Sequence, residues 1–170
     1  MEDEMARLAM TDGLTGLANR RRFDIVIEKE WQRAQRAQAP IALLMIDADH
    51  FKVFNDTHGH LVGDQLLRGF ASLLASRART ADLAARYGGE EFCLVLPATS
   101  ADGAEHLLGE LHAAARQLRS PMGITFSAGL ASWQPGDGAE ALLARADGAL
   151  YRAKTAGRDR TEVEAEDVRA

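Results

Sequence analysis

Two adjacent glycines followed by two adjacent acids are the residues of this chain best suited to chemistry. Gly88 and Gly89 precede Glu90 and Glu91, with strand-like sequence on both sides. This pattern predicts a β-hairpin with the glycines at its tip. Glycine accepts the positive φ angles of a tight turn, and its missing side chain lets a ligand approach the backbone. Neighbouring carboxylates repel each other, so a cation or a solvated loop must offset that repulsion.

A further acid follows an apolar segment. Residues 41–46 form a short continuous apolar run, typical of a central buried strand, and the run stops at Asp47. If this strand neighbours the hairpin, Asp47 converges with Glu90 and Glu91, and such hard oxygen ligands suit Mg²⁺. The alternative is that Asp47 caps a helix while Glu90 and Glu91 are solvated turn residues. For any one of these acids considered alone, the capping or turn interpretation is favoured. The three acids considered together favour a metal site.

Other metal and phosphate signatures are excluded. Asp47 and Asp49 resemble the start of a calcium loop, but Lys52 stands where that loop needs glycine, and His58 where it needs glutamate. The P-loop signature is absent. No thiolate cluster accompanies the histidines of the His-Gly-His segment 58–60, which therefore indicates a helix-boundary turn rather than a zinc site.

Asn55 and Asp64 lie nine residues apart in a turn-rich segment. Asparagine offers a donor and an acceptor, and aspartate offers acceptors, so the pair matches the edge of guanine. Helix capping explains Asp56 and Asp64 as well, and spacing alone favours caps.

Lys154 and Arg158 flank Gly157 at the end of the last predicted helix. They are either a phosphate clamp or cations placed favourably at a helix C-terminus, with Gly157 as the C′ residue. The residues themselves do not separate these interpretations.

The elements that must position these residues follow from apolar periodicity. Asn19 is a predicted helix N-cap. Predicted helices cover 2–10, 20–38, 61–78, 101–118 and 139–156, and predicted strands cover 41–46, the hairpin 83–97, 124–133 and an edge strand at 159–164. This alternation predicts an α/β (α+β) domain with a mixed sheet.

Composition narrows the classes of function. The 170 residues are 46% apolar and fit one globular domain. The net charge of -5 argues against nucleic acid as a partner. Cys93, the single cysteine, is expected to be a buried thiol. No signal core or membrane-length apolar segment is present, so the expected location is the cytoplasm, with no membrane partner.

Several ordered motifs resemble the GGDEF diguanylate cyclase family over nearly the whole chain, from about Asp12 to Arg160. The matching segments are Asp-Gly-Leu-Thr-Gly-Leu-Ala-Asn-Arg-Arg (12–21), Asp-Ala-Asp-His-Phe-Lys-Val-Phe-Asn-Asp (47–56), Gly-His-Leu-Val-Gly-Asp (59–64), Arg-Tyr-Gly-Gly-Glu-Glu-Phe (86–92), Ser-Ala-Gly (127–129) and Ala-Asp-Gly-Ala-Leu-Tyr-Arg-Ala-Lys-Thr-Ala-Gly-Arg (146–158). Glu90 stands where the family name has aspartate, which keeps the carboxylate.

The resemblance implies a palm-like central sheet of about five strands surrounded by helices. It implies condensation of two GTP into cyclic di-GMP with release of two pyrophosphates, by a homodimer in which each domain holds one GTP. Two Mg²⁺ ions per site are implied, with Mn²⁺ as an alternative ion. Their implied ligands are Asp47, the Ala48 carbonyl and Glu90.

The resemblance also implies the remaining site residues. Glu91 assists the metal site, and Asn55 and Asp64 recognise guanine. The implied triphosphate contacts are Phe51 (through its backbone), Lys52, Lys154 and Arg158, with GTP lying close to Gly88 and Gly89.

Arg79 and Asp82 resemble the family's Arg-x-x-Asp inhibitory site, which binds the cyclic di-GMP product. A weak surface pair on one helical turn is the alternative. Whether Arg86 completes that site stays open.

Three hypotheses compete with a product-inhibited diguanylate cyclase. They are a non-catalytic GTP or cyclic di-GMP binding module, a cyclase that makes a mixed-base dinucleotide, and a structural domain. The signature acids favour an enzyme, and Asp64 favours guanine. The expected organisation is an N-terminal helical segment at 1–11 (the remnant of a sensor linker if the chain is a fragment), a catalytic domain at 12–162 and an acidic tail at 163–170.

Overall fold

The apolar run predicted as a central strand lies in the middle of a five-stranded sheet. The structure, a computed structural model, describes residues 2–118 and 124–164. The strands are β1 (Ile41–Ala48), β2 (Leu83–Arg86), β3 (Glu91–Pro97), β4 (Phe126–Ser132) and β5 (Arg160–Val163). Their order is β2-β3-β1-β4-β5. Only β4 and β5 pair in parallel among these strands. The predicted mixed sheet of about five strands is therefore confirmed.

Six helices of the described residues surround this sheet. They are α1 (Glu2–Met10), α2 (Arg20–Ala37), α3 (Phe51–His58), α4 (His60–Arg77), α5 (Ala101–Ala115) and α6 (Ala139–Thr155). The predicted N-cap is confirmed, since the Asn19 side chain accepts a hydrogen bond from the N–H of Arg22 at 3.0 Å.

Alternate residues of β1 face two separate cores, which explains its unbroken apolar sequence. Leu44 and Ile46 join a core with residues of α3, α4 and α5. Leu43 and Met45 join a second core with residues of α2 and α6. The central strand is thus buried on both faces. Its C-terminal end carries Asp47, which lies beside the start of β3, next to the hairpin tip.

Several predicted elements differ from the structure. β1 continues through Asp47 to Ala48 because strand pairing on both sides carries it beyond the apolar run. α5 ends at Ala115 rather than at residue 118. Helix α3 was not predicted, because eight residues show too little periodicity; the left-handed His50 (φ 54°) precedes it without a side-chain cap.

The two ends of the chain agree with the sequence where they are described. The edge strand β5 is confirmed, as is the N-terminal helix α1. Of the expected acidic tail at 163–170, Val163 ends β5, and residues 165–170 lie outside the described residues. Within the described ranges, none of the helices has the length and hydropathy required to cross a membrane.

Candidate active site

The two acidic segments lie on neighbouring strands. β1 and β3 pair antiparallel, so that Asp47 stands opposite Glu91. Next to this pair, the N–H of Ala48 donates to the carbonyl of Glu90 over 3.2 Å. The strand that carries Asp47 is therefore a neighbour of the hairpin, as expected from the sequence.

A cavity of about 260 Å³ opens at this end of the sheet. It is lined by Asp47, Ala48, Asp49, His50, Phe51, Lys52, Val53, Glu90, Lys154 and Arg158. Every predicted metal ligand and every predicted triphosphate contact belongs to this lining. The fold thus gathers acids and cations from β1, α3, the hairpin and the end of α6 around one space.

Lys154 pairs with Asp47 inside this cavity, although 107 residues separate them in sequence. Its Nζ lies 2.5 Å from Oδ2 of Asp47. The Asp47 residue is only 7% exposed, and this burial raises the pKa of its carboxyl, while the charge of Lys154 partly offsets the effect. Lys154 therefore forms an ion pair with a residue of β1, in addition to being a cation at the C-terminus of α6.

Arg158 reaches the cavity from the C-terminus of α6. Gly157 has φ 120° and is the C′ residue, as predicted. The N–H of Arg158 bonds to the carbonyl of Ala153 at 3.0 Å, and the N–H of Gly157 bonds to that of Lys154 at 3.4 Å, which together form a Schellman motif. The helix-terminus interpretation is confirmed, and the same terminus places both cations at the cavity, as a phosphate clamp would require.

Glu91 is set apart from the other acids. It does not line the cavity. Burial raises the pKa of its carboxyl, and the nearby charge of Asp47 raises it further. Because the described residues contain no group of three or more His, Cys, Asp or Glu side chains arranged for a metal, the expected convergence of three carboxylates does not hold. The acids that face the cavity are Asp47, Asp49 and Glu90.

The residues present fit a hard divalent cation all the same. Asp47 and Glu90 supply two carboxylates, and the backbone of Ala48 lies between them at the cavity wall. Magnesium sites use one or two carboxylates and leave the other positions to water and phosphate oxygens. The cations Lys154 and Arg158 stand at the same cavity, where a triphosphate would need them.

Asn55 and Asp64 lie in the two helices beside this cavity. The helices meet at Gly59, which has φ 87° and serves as the N-cap of α4. Asp64 is half-buried inside α4 and Asp56 is exposed inside α3. The capping interpretation of Asp56 and Asp64 is therefore wrong, while the predicted boundary turn at residues 58–60 is confirmed.

Gly63 fixes where Asn55 lies. A Cβ built on Gly63 would be 1.7 Å from Oδ1 of Asn55, so the carboxamide occupies the space that any side chain there would need. That Oδ1 is buried and has no hydrogen-bond partner among the described residues. A buried acceptor without a partner is costly unless a ligand supplies a donor. The carboxamide thus lies beside the turn of α4 that carries Asp64.

The hairpin glycines are exposed, and neither lies in the left-handed region of φ. The expectation of positive φ at the tip is therefore wrong. A Cβ on Gly88 would make only ordinary contact with Glu91, 3.5 Å from its Oε2, and a Cβ on Gly89 would meet nothing within 4 Å. Neither the turn nor the packing therefore requires glycine at these two positions.

Arg86 is a positioning residue whose role the sequence left open. Its Nε donates to the carbonyls of Gly88 and Gly89, both at 3.1 Å, and its Nη2 donates to Gly89 at 2.7 Å. Its Nη1 reaches Asp12. Arg86 thus holds the hairpin tip from within and takes no part in the Arg79 cluster described next.

Arg79 and Asp82 form a pair at the other end of the sheet. They begin and end a turn after α4, with the N–H of Asp82 bonded to the carbonyl of Arg79 at 3.0 Å. The guanidinium donates to both oxygens of Asp82, and also to the carbonyl of Pro97 at 2.9 Å and the hydroxyl of Thr99 at 2.7 Å. The Asp82 side chain is 2% exposed and that of Arg79 is 57% exposed. The alternative of a weak surface pair on one helical turn is therefore wrong, because the two residues lie in a turn outside the helix and the Asp82 side chain is buried.

This pair lies well away from the acidic cavity. Pro97 is the last residue of β3 and Glu91 the first, so about 20 Å of strand separates the two places. A distinct cavity of about 220 Å³ lies there, lined by Arg77, Arg79, Asp82, Leu96, Thr99, Gly103 and Leu107.

Sequence reasoning missed Asp49, Gly63 and Arg86 as residues that shape the site. Each stands inside a motif that was noticed for another reason. Only contacts across the fold reveal their partners: Asp49 with β4, Gly63 with Asn55, and Arg86 with Asp12.

A family model described as "Diguanylate cyclase, GGDEF domain" matches residues 9–160. Among similar curated proteins is the diguanylate cyclase DgcP of Pseudomonas aeruginosa, 45% identical over 168 residues, which are 96% of this chain and 25% of that protein. The response regulator PleD of Caulobacter vibrioides is 43% identical over 166 residues, 92% of this chain and 36% of that protein. The chain thus spans a quarter to a third or so of the length of these relatives.

Solved structures agree in fold. One contains the coiled coil and GGDEF domain of DgcB from Caulobacter crescentus in complex with c-di-GMP; it has a TM-score of 0.90 and 38% identity, covering 95% of this chain and 89% of that one. Another is the active GGEEF domain of a diguanylate cyclase from Vibrio cholerae, with a TM-score of 0.84 and 33% identity, covering 89% of this chain and 99% of that one.

Proposed function

Because this chain belongs to the GGDEF diguanylate cyclase domain family, we propose that it condenses two GTP into cyclic di-GMP and two pyrophosphates. In each of two condensations, the 3′ oxygen of one GTP bonds to the α-phosphorus of the other. The bond from that phosphorus to the β-phosphate oxygen breaks, and pyrophosphate leaves with the electron pair. The observation that carries this proposal is the single cavity shared by Asp47, Glu90, Lys154 and Arg158.

Asp47, the Ala48 carbonyl and Glu90 would hold Mg²⁺, two ions per site with Mn²⁺ as an alternative ion. When bound, the ions supply charge neutralisation at the phosphates and make the 3′ hydroxyl more acidic. Glu90 is the candidate that this chain offers for accepting the 3′ proton. Glu91, outside the cavity lining and opposite Asp47 on the neighbouring strand, assists by adding negative charge to the metal site.

The cations of the cavity hold the triphosphate. Lys154 and Arg158 come from one helix end and Lys52 from the first turn of α3. Phe51, the first residue of α3, lines the same cavity, and its backbone would contact the phosphates because a helix N-terminus favours phosphate oxygens. These groups orient the leaving pyrophosphate and offset the charge that develops on it.

Asn55 and Asp64 recognise guanine. The buried Oδ1 of Asn55 needs a donor, and guanine presents N–H donors beside a carbonyl acceptor. The carboxylate of Asp64 accepts from such donors and offers none, which disfavours a base whose edge presents acceptors there. The bare backbone of Gly88 and Gly89 lets the nucleotide lie against the hairpin.

One domain presents one GTP site, so cyclisation needs two copies facing each other. A symmetric homodimer gives each 3′ oxygen an α-phosphorus on the opposite copy. Arg79 and Asp82 bind the product and inhibit the enzyme from the far end of the sheet. Support for this comes from the Arg79 side chain, which is 57% exposed while its guanidinium is held by the buried side chain of Asp82.

Product analysis tests the proposal. The protein at high concentration is incubated with GTP, ATP and Mg²⁺, and the nucleotides are separated and identified. Cyclic di-GMP with two equivalents of pyrophosphate is expected. A mixed adenine–guanine product would favour the relaxed-base alternative, and GTP binding without any cyclic dinucleotide would favour a non-catalytic module.

Matched variants show whether the cavity carries the activity. Glu90→Gln keeps the size of the side chain and removes the charge, and it should abolish the product. Glu105→Gln makes the same change at an exposed position of α5 and should leave the yield unchanged. Equal yields from both variants would contradict the assignment of Glu90.

A further inference from the structure

Asp49 lines the acidic cavity, yet its carboxylate accepts hydrogen bonds from three residues outside that lining. Oδ1 accepts from the hydroxyl of Ser127 at 2.6 Å. Oδ2 accepts from the hydroxyl of Thr125 at 2.8 Å and from the backbone N–H of Asp159 at 2.9 Å. Asp49 therefore joins the end of β1 to β4 and to the segment that follows α6.

That segment has an unusual backbone. Gly157, Arg158 and Asp159 have φ angles of 120°, 63° and 47°. A left-handed conformation is ordinary for glycine, but it is strained for arginine and aspartate, and such residues persist only where surrounding contacts hold them. Arg158 and Asp159 therefore need external support.

Three hydrogen bonds hold the backbone of this segment. The N–H of Arg158 bonds to the carbonyl of Ala153 at 3.0 Å. Its carbonyl accepts from Nε of Arg160 at 3.0 Å. The next N–H along the chain, that of Asp159, bonds to Asp49. Of these three anchors, Asp49 is the one that ties the segment to the strand carrying Asp47.

We infer that Asp49 is a positioning residue, which holds the strained segment 157–159 so that Arg158 faces the triphosphate cavity. This inference rests on the proposed function for its ligand, the triphosphate of GTP. Asp49 acts through the backbone, because its carboxylate binds the N–H of Asp159 and the two hydroxyls of β4 and the residue before it, Ser127 and Thr125. The arrangement couples the end of the metal-binding strand to the phosphate-binding arginine.

A double-mutant cycle tests the coupling. The probe is 3′-deoxy-GTP with Mg²⁺, which lacks the attacking hydroxyl and therefore binds without turnover. Arg158→Ala should weaken its binding roughly tenfold or more, as expected for loss of a charge-assisted contact. Asp49→Asn keeps the size of the side chain, but its NH2 group would face the hydroxyl and N–H donors that now bind the carboxylate. It should therefore weaken binding of the probe by a similar factor. The double variant should bind no worse than Arg158→Ala alone, since both changes remove one interaction.

A second measurement reports on the segment without any ligand. Hydrogen exchange at the Asp159 amide should accelerate at least tenfold in Asp49→Asn. Thr125→Val is the matched control, because it removes one donor to Asp49 and leaves the Asp159 bond in place; it should preserve both binding and protection. If Asp49→Asn is too unstable to study, Asp49→Ser, which is smaller and keeps an acceptor, replaces it.

The outcomes separate the two proposals. The positioning role would be overturned if the losses of affinity in Asp49→Asn and Arg158→Ala multiply in the double variant. It would also be overturned if hydrogen exchange at the Asp159 amide is unchanged. In both cases the wild-type chain still binds the probe. Failure of the wild-type chain to bind 3′-deoxy-GTP would overturn the proposed function, and the role of Asp49 toward a triphosphate with it.

Discussion

The Nη1 atom of Arg86 lies 3.3 Å from both carboxylate oxygens of Asp12, across 74 residues of sequence. Burial by itself would raise the pKa of Asp12, but hydrogen bonds from Thr15 and the charge of Arg86 outweigh it, and the pKa lies below its usual value. Asp12 is therefore ionised at neutral pH. Through this pair, the turn that follows α1 is linked directly to the tip of the glycine hairpin.

Replacing Arg86 by lysine should lower cyclase turnover by at least about tenfold, because misplacement of a positioning group by an ångström carries such costs. Lysine keeps the charge but cannot contact Asp12 and the two glycine carbonyls at once. Steady-state assays of GTP consumption measure the effect. Arg77→Lys, in a surface pair with Glu110, is the control and should be nearly silent. Full activity of Arg86→Lys would show that the hairpin holds its shape unaided.

Replacing Gly63 by alanine should impair the selection of guanine. The new Cβ would lie 1.7 Å from Oδ1 of Asn55 and 2.9 Å from its Cγ, so the carboxamide must move. Loss of a hydrogen bond to the base should raise the KM for GTP about tenfold, with a smaller effect on kcat.

Gly69→Ala is the matched control for that change. It lies in the same helix, and a Cβ there meets nothing within 4 Å. Alanine in a helix should then stabilise the chain by about 0.5–1 kcal/mol and leave the KM unchanged. Equal kinetics of the two variants would mean that Asn55 does not recognise the base.

Replacing Gly129 by alanine should destabilise the fold by about 1–3 kcal/mol or more, the range for overpacked cores. A Cβ on this residue of β4 would lie 2.2 Å from the carbonyl oxygen of Ala146 and 2.3 Å from the nitrogen of Leu150. Helix α6 must then move off the sheet, which also draws Lys154 away from Asp47. Urea denaturation measures the loss. Gly109→Ala in α5, where a Cβ meets nothing within 4 Å, should not destabilise.

Stability should fall between pH 7.5 and pH 5.5 through His112. Its ring stacks on Phe126 at 3.9 Å. Burial lowers the pKa of His112 below its ordinary value of 6.5, Asp159 raises it in part, and the cation of Arg116 lowers it further. Below pH 6.5 the unfolded chain therefore binds a proton that the folded chain does not. The free energy of unfolding must then decrease as pH falls, by at most about 1.4 kcal/mol per pH unit.

Denaturation of His112→Gln across this range isolates the contribution. The raised pKa values of Asp47, Glu91 and Asp147 give the opposite slope at lower pH, so the difference between variant and wild type is the quantity to follow. The difference in free energy of unfolding between His112→Gln and the wild type should change with pH. A parallel pair of curves would exclude His112, whereas His106→Gln, exposed on the same helix, should follow the wild-type curve.

Replacing Arg79 by alanine should abolish product inhibition and keep catalysis. The guanidinium lies about 20 Å of strand away from the acidic cavity, and its loss frees Asp82, Pro97 and Thr99 at that far end only. Initial rates measured with and without added cyclic di-GMP test this. Inhibition that persists unchanged in Arg79→Ala would refute the inhibitory site.

The sequence by itself determined the sheet, most of the helices and the kinds of residue in the site. Apolar periodicity and turn residues are local signals, so β1, the hairpin and the cap at Asn19 could be predicted from neighbours along the chain. The motifs likewise indicated acids for a metal, cations for phosphate and a polar pair for guanine.

Only the tertiary structure decided which of these residues face one another. It paired Lys154 with Asp47, left Glu91 outside the cavity lining, bonded the N–H of Asp159 to Asp49, and paired Arg86 with Asp12. Short helix α3 and the unstrained glycines of the hairpin also escaped prediction. The physical reason is that strand register and helix packing set distances between groups far apart in sequence, and a local pattern carries no information on those distances.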